Sequence, residues 1–305
     1  MLRYLITAAL AMACLSVFSQ EKADPWIISA KAVDPAAYYG VTVANGMIGV
    51  VSAPEPFKVK QVVLAGAYDL YGRGRVSNFL NSFNLLNMHA DIDGRRIDAR
   101  NVRNFRQELD MRNASFTTSF DYGDQATITY TYYSLRQLPF TVLMDVSVTA
   151  RKELMLTSSS VMEAPDALKE VQNYYNEIDR PHVVLSLLTS TAKSPTGKLQ
   201  LAASTTFLFN EPHASEPRVI HEMWDNNMHL MKFSKKIAAG ETYKFAVAGS
   251  SITSAHHDDP LNEAERLTIF ARLEGRDRLL QFHRKAWDEL WTSDITVEGD
   301  DQAQQ

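Results

Sequence analysis

Cysteine is almost absent: the 305 residues contain one, Cys14, and it lies inside an apolar N-terminal stretch. With no second thiol the chain cannot close an internal disulfide, so core packing and hydrogen bonds must hold it together. Long apolar runs are missing too. Residues 5–17 form one, but it is shorter than the ~20 residues a helix needs to cross a bilayer, and no later segment is as apolar. Nor is there a surplus of positive charge. Lys and Arg number 31 against 36 Asp and Glu, a net charge of −5, and the cations do not alternate with aromatics. Nucleic acid is therefore not an expected partner. Internal repeats and low-complexity tracts are lacking as well.

What is present begins with an address. MLRYLITAALAMACLSVFS, residues 1–19, joins one early cation, Arg3, to an apolar run and compact residues at Val17 and Ser19, the pattern of an export signal. Cleavage is expected before Gln20, which gives a periplasmic or secreted chain without thiols. A lipid anchor on Cys14 is the rival reading, but the Leu usual three residues upstream is missing. The remaining chain, in a sequence that is 45% apolar, is long enough for a sizeable core.

From about Val41 to Ile252 the pattern is strands and turns. TITYTYYS (127–134), FTVLMDVSVTA (140–150), VVLSLLTST (183–191), KLQLAASTTFLF (198–209), MHLMKFS (228–234) and TYKFAVAGSS (242–251) are β-branched and aromatic, and turn residues bound them. Asn45-Gly46 and Asp93-Gly94 are expected to accept positive φ in two-residue hairpin turns. So much strand without intervening helix predicts a mostly β fold over residues 20–252: a large antiparallel sandwich of two stacked sheets.

At residues 253–305 the period changes. Asp259 before Pro260 is an N-cap and first-turn pair, Leu261, Ala264, Leu267 and Ala271 recur at helical spacing, and Gly275 is placed to end the helix. On a second helix Leu279, His283, Ala286, Trp287 and Leu290 fall on one stripe. A docked two-helix linker is expected.

The stretches ANGMIGV (44–50), GAYD (66–69), NSFNLLNMHADIDG (81–94) and HRKAWDELWTSDITVEGDDQAQQ (283–305) resemble the N-terminal region of glycoside hydrolase family 65. That family includes maltose, trehalose and kojibiose phosphorylases and related α-glucoside hydrolases. The resemblance covers residues 38–305, and the terminal His-x3-Trp-x3-Trp is its most specific part. It implies a galactose-mutarotase-like supersandwich and a helical linker that precede an (α/α)6 barrel. In the family the barrel holds the general acid and the group that activates phosphate or water, so no catalytic residue carries over. The resemblance also implies an inverting parent enzyme, an α-glucoside partner reached through that whole enzyme, and a homodimer. Positions that match are Asn45, Gly46 and Gly49 in a hairpin, Tyr68 and Asp69 near loops that face the barrel, and His283, Trp287 and Trp291 on the linker. Met47 departs from the Tyr or Phe often found there. The interdomain contact is thus expected at His283, Trp287, Leu290 and Trp291, and the weaker substrate-side candidates are Tyr68, Asp69, Arg73 and Arg75. No cofactor or metal is expected.

Other constellations read more plainly as structure. The acidic stretch APDALKEVQNYYNEIDRP (164–181), with Glu163 just before it, is expected as a solvated loop or short helix that interrupts the strands. HHDD (256–259) is expected to cap a helix, because adjacent ligands rarely converge on one ion. HEMWDNNMH (221–229) lacks the spacing that pairs imidazoles on a helix, and reads as loop plus strand. YGRGRVSN (71–78) lacks a following helix for a phosphate nest. Asn113-Ala114-Ser115 is a sequon, relevant only in a secretory pathway that glycosylates asparagine. Two further functions stay open: a sugar-binding module that uses exposed aromatics such as Trp224 and Tyr132, and a mutarotase-like isomerase with His182 or His229 as acid and Glu163 or Glu222 as base.

Overall fold

The structure is a computed structural model that describes residues 24–300, apart from 73–75, 181–182, 294 and 296. The expected export signal 1–19, Cys14, the expected cleavage point at Gln20, Arg73, Arg75, His182 and residues 301–305 lie outside the described residues.

Eighteen strands follow one another among the described residues. The first six are β1 Ile27–Ala30, β2 Thr42–Ala44, β3 Ile48–Ser52, β4 Val59–Leu70, β5 Ser77–Ser82 and β6 Asn84–Ile92. Next come β7 Arg95–Arg96, β8 Val102–Asp110, β9 Ser115–Tyr122, β10 Ala126–Ser134, β11 Thr141–Ala150 and β12 Leu154–Glu163. The last six are β13 Lys169–Arg180, β14 Val183–Lys193, β15 Gln200–Phe209, β16 Ile220–Met223, β17 Met228–Ile237 and β18 Thr242–Thr253. They pair antiparallel into three sheets: nine strands in the order β1-β8-β9-β10-β11-β18-β15-β14-β13, five in the order β16-β17-β12-β6-β7, and four in the order β2-β3-β4-β5. The expected β-sandwich is there, with the layer opposite the large sheet divided into a five-stranded and a four-stranded piece. One apolar core joins residues of all three, from Val50 and Leu64 through Met88 and Phe233 to Tyr130 and Phe245.

Alternation explains why these segments are strands. Along β9, Phe116, Thr118, Phe120 and Tyr122 are buried while the residues between them are partly exposed, and on β10 Ile128, Tyr130 and Tyr132 are buried in register. Phe57 stacks on Tyr130 at 4.8 Å between centroids, and its backbone N–H donates to the Tyr130 hydroxyl at 3.0 Å. Burying rings of this size stabilises the fold by roughly 1.5–3 kcal/mol each. On β18, Gly249 is required by close approach: a Cβ there would lie 2.6 Å from Leu85 Cδ1 and Thr205 Cγ2.

Two expectations need correction in detail. At Asp93-Gly94 both residues have positive φ between paired Ile92 and Arg95, as expected of a two-residue turn. At Asn45-Gly46 the turn sits one residue later. Asn45 N–H donates to Ile48 O at 3.2 Å, so the turn residues are Gly46, at φ +94°, and Met47. Buried Asn45 shapes it from outside: its Oδ1 accepts from Met47 and Ile48 N–H, and its Nδ2 donates to Leu135 O at 2.7 Å. The acidic stretch 164–181 is mostly strand. Its residues 169–180 are β13, an edge strand in a hairpin with β14, and its polarity reflects an edge that faces water rather than a loop.

The helices follow the sequence signals closely. In α1, Pro260–Glu274, the Asp259 carboxylate accepts from Asn262 N–H at 3.2 Å, and Gly275 at φ +77° ends the helix. Ala264, Leu267 and Ala271 are buried, Ala264 against Ala202 and Ile252 of the large sheet's outer face. In α2, Arg276–Leu290, the first residue forms a two-pronged ion pair with Asp145 of β11 at 2.5 and 2.6 Å. No described helix is long and apolar enough to cross a membrane.

Candidate functional site

The helical pair and the β4–β5 hairpin carry the residues singled out from the sequence, and the fold treats each of them differently. Leu279 and Leu280 are buried with Leu135, Leu143, Ala246 and Ala248 of the sandwich, and His283, also buried, meets Tyr133 edge-on at 5.3 Å. His283 is tied at both ring nitrogens: Nδ1 accepts from Arg136 N–H at 3.2 Å, and Nε2 donates to Asn113 O at 2.9 Å. Burial, above all, pushes its imidazole below the usual histidine range, which keeps it neutral for those two roles. It therefore fastens the linker to the sandwich's own turns and is not free to meet another domain.

Trp287 and Trp291 are half-buried. Their rings stack at 6.1 Å, Trp291 meets Trp26 edge-on at 4.7 Å, and its Nε1 donates to Arg112 O at 2.9 Å. The Arg136 guanidinium lies 5.8 Å from the Trp287 ring centroid. The Trp287 indole N–H is buried with no acceptor among the described residues, an uncommon state for a native polar group. Leu290 is 44% exposed and Phe282 39% exposed. With half-buried Ala286 they recur at intervals of four, so α2 has a second apolar stripe that turns away from the sandwich. On α1, Phe270 and Leu273 are exposed as well.

On the hairpin, Tyr68 and Phe79 pair across the strands with rings 4.7 Å apart, and both are exposed, as are Leu70 and Val76. Asp69, between them in sequence, is only 3% exposed. Its carboxylate accepts from Thr196 Oγ1 at 2.6 Å, Thr196 N–H at 3.0 Å and Leu70 N–H at 2.7 Å. Burial by itself would push that carboxyl up, but hydrogen bonds from Ser194, Thr196 and Leu70 outweigh it and hold it well below the usual range. Asp69 is an anchor for the hairpin, and Tyr68 is the part that faces outward.

The isomerase pairing at His229 does not assemble. His229 is fully buried on the inner face of the five-stranded sheet, with Nε2 2.9 Å from Ser190 Oγ and Nδ1 3.3 Å from His221 Nε2. It pairs with inward Met162, whereas Glu163 is the next residue along β12 and Glu222 pairs with Leu230. Side chains alternate across a strand, so both carboxylates lie on the opposite face from that imidazole. Tyr132 is 1% exposed and stacked on Phe116, which removes it from any binding face, while Trp224 is exposed. His256, in the HHDD segment, is occupied by Thr253 Oγ1 at 3.0 Å and Ala65 O at 2.6 Å. Sequence reasoning gave no role to Phe270, Leu273 or Phe282. An i, i+4 spacing of Phe282, Ala286 and Leu290 was the available signal, hidden by the stronger indole stripe.

The described residues thus form a β-sandwich with a docked helical pair and an exposed apolar rim. The sequence profile of the glycosyl hydrolase family 65 N-terminal domain matches residues 40–290, and the chain belongs to that family. It is 69% identical over 297 residues to a kojibiose hydrolase of Mucilaginibacter mallensis, covering 97% of this chain and 44% of that protein. A kojibiose hydrolase of Flavobacterium johnsoniae is 53% identical over 282 residues, with 92% and 41% covered. A solved structure described as that of a kojibiose phosphorylase from the human microbiome superposes with a TM-score of 0.70 at 15% identity, over 92% of this chain and 40% of that one. That last likeness concerns the fold alone. The chain spans less than half the length of these relatives.

Proposed function

We propose that this chain is the scaffold and interdomain-contact part of an exported α-glucoside hydrolase that acts on kojibiose-type linkages. The observation that carries the reading is the 69% identity to a kojibiose hydrolase over 97% of the chain, matched to only 44% of that protein. Cleavage is assigned to residues outside this chain. Glycosidic cleavage needs a carboxyl held protonated by its surroundings. Asp121, Asp259 and Glu263 are instead pushed down by hydrogen bonds, chiefly from Asn104, Asn262 and Arg266. The rim of Phe270, Leu273, Phe282 and Leu290, and the Trp287 N–H that finds no acceptor among the described residues, supply the surface for a neighbouring domain. Hydrolysis is favoured over phosphorolysis because both curated relatives are hydrolases, and because glucose 1-phosphate made outside the cytoplasm would be poorly recovered.

The test is a domain exchange. Replacing the matched N-terminal part of the Mucilaginibacter mallensis enzyme with this chain should preserve glucose release from kojibiose, while this chain alone should release none. Glucose release by the chain alone, or an exchanged enzyme that folds but is inert, would overturn the reading.

A further inference from the structure

The outer face of the five-stranded sheet carries an arrangement that neither the linker nor the hairpin uses. Asn87 and His89 of β6 and Glu163 of β12 point there, opposite the inward Met88 and Met162. Trp224, in the turn between β16 and β17, brings its ring to 5.2 Å from the His89 ring at an interplanar angle of 36°. It is 51% exposed. Beside His89 opens a groove of about 300 Å³, lined by Pro56, Lys58, Arg96, Asp98 and Arg100 among others. The half-exposed Trp224 indole packs against His89, and His89 lines the groove, so ring and groove adjoin through that imidazole.

The polar groups around the ring are unevenly satisfied. Lys58 Nζ lies 3.4 Å from His89 Nε2 and has no carboxylate within 4.0 Å among the described residues. His89 Nδ1 is buried with no hydrogen-bond partner among the described residues. Glu163 Oε2 accepts from Asn87 Nδ2 at 3.0 Å, and Asn87 Oδ1 from Val59 N–H at 2.9 Å, so that end is fixed. Burial pushes the Lys58 ammonium down, and Glu163 and Glu55 partly restore it. Burial, with Lys58 and Arg96, lowers His89 to about 4, so the imidazole stays neutral, a donor at one nitrogen and an acceptor at the other.

Charge selects the ligand class. Arg96 is paired with Asp91 and Arg100 with Asp98, and Glu163 and Glu55 act on Lys58 from beyond contact. The field is balanced rather than cationic, which disfavours a small anion. Donors and acceptors of both kinds beside an aromatic plane suit a neutral polyhydroxyl ring, whose C–H face stacks while its hydroxyls give and take hydrogen bonds. We propose that Trp224, His89 and Lys58 form a saccharide-binding surface, separate from the linker face, that takes one pyranose of a neutral oligosaccharide stacked on Trp224. The choice of a sugar rests on the carbohydrate reading above; the location rests on this geometry.

The test uses the 305-residue chain, titrated with kojibiose and with maltotriose by saturation-transfer NMR and indole fluorescence. The chain has four tryptophans, and Trp26, Trp287 and Trp291 cluster together at the end of α2, so Trp224→Phe identifies the reporting ring. Saturable, weak binding is expected. Trp224→Ala should raise Kd by about 10-fold or more, and Lys58→Met by roughly 3- to 10-fold, each with an unchanged melting temperature. Absence of saturable binding to either sugar overturns the proposal, as does equal affinity in the folded Trp224→Ala variant. So does Lys58-dependent binding of inorganic phosphate in place of sugar. An exchanged enzyme that cleaves while the chain binds no sugar removes only this surface. A chain that binds sugar while the exchanged enzyme is inert removes only the enzymatic reading.

Discussion

Asp69 illustrates how a residue's neighbours, and not its type, assign its work. A carboxylate beside an exposed tyrosine on a hairpin reads as a ligand contact, yet it is spent on the backbone and side chain of Thr196 and the N–H of Leu70. Asp69→Asn should cost about 1.5–3 kcal/mol in urea unfolding at pH 7, the usual worth of hydrogen bonds to a charged group. The sign of its pH dependence follows from the depressed carboxyl. Stability from such a group is complete above the unfolded carboxylate pKa of about 3.9 and is lost as pH falls toward the folded value. The gap between wild type and variant should therefore be constant from pH 7 to 5 and narrow below about pH 4. A gap independent of pH over that range would show that the carboxylate charge is not what holds the turn.

At the scale of the element, α2 is a helix with two apolar stripes and two different obligations. The inward stripe of Leu279, Leu280 and His283 completes the sandwich's outer layer, so Leu279→Ala should destabilise by about 2–5 kcal/mol as a core truncation. The outward residues Phe282 and Leu290 stay 39% and 44% exposed, with the Arg278 guanidinium 5.5 Å from the Phe282 ring. The double variant Phe282→Ser and Leu290→Ser should change stability by no more than about 0.5 kcal/mol per site. With that apolar stripe uncovered, the isolated chain should associate as its concentration rises in sedimentation velocity, and the same double variant should abolish that association. The indoles lie between these extremes, half-buried on Trp26 and Arg112, so Trp291→Ala should weaken both properties. An outward double variant that melts far below wild type would place Phe282 and Leu290 in the core and contradict this division.

For the whole molecule, the histidines set a pH limit. Burial, in each case the leading cause, lowers His89 to about 4 and His229 to about 3, and also depresses His221 and His283. Groups depressed in this way lend stability above the unfolded pKa of about 6.5 that declines as pH falls toward the folded values. The urea midpoint should accordingly drop between pH 7.5 and 5.5, with protons taken up on unfolding. A midpoint unchanged across that interval would mean that the imbalance between folded and unfolded imidazoles is absent.

What the sequence determined by itself was short-range. The β-branched runs became β10, β11, β14, β15, β17 and β18, and Asp259, Pro260 and Gly275 bounded α1, because pleat, cap and turn preferences act within a few residues. The family motifs likewise identified the domain without any structure. Tertiary structure decided which way each chemistry-bearing side chain faces. Asn45 shifted its turn by one residue to reach Leu135 O, ninety positions away. Residues 169–180 became an edge strand only because β14 offered a partner. A one-residue difference in strand position put His229 inside and Glu163 outside, and packing against Phe116 closed off Tyr132 while Trp224 stayed open. Those outcomes depend on pairings between segments distant in the chain. Local preference leaves such pairings undetermined, because the free energy that chooses among them comes from burial that exists only once the sheets have packed.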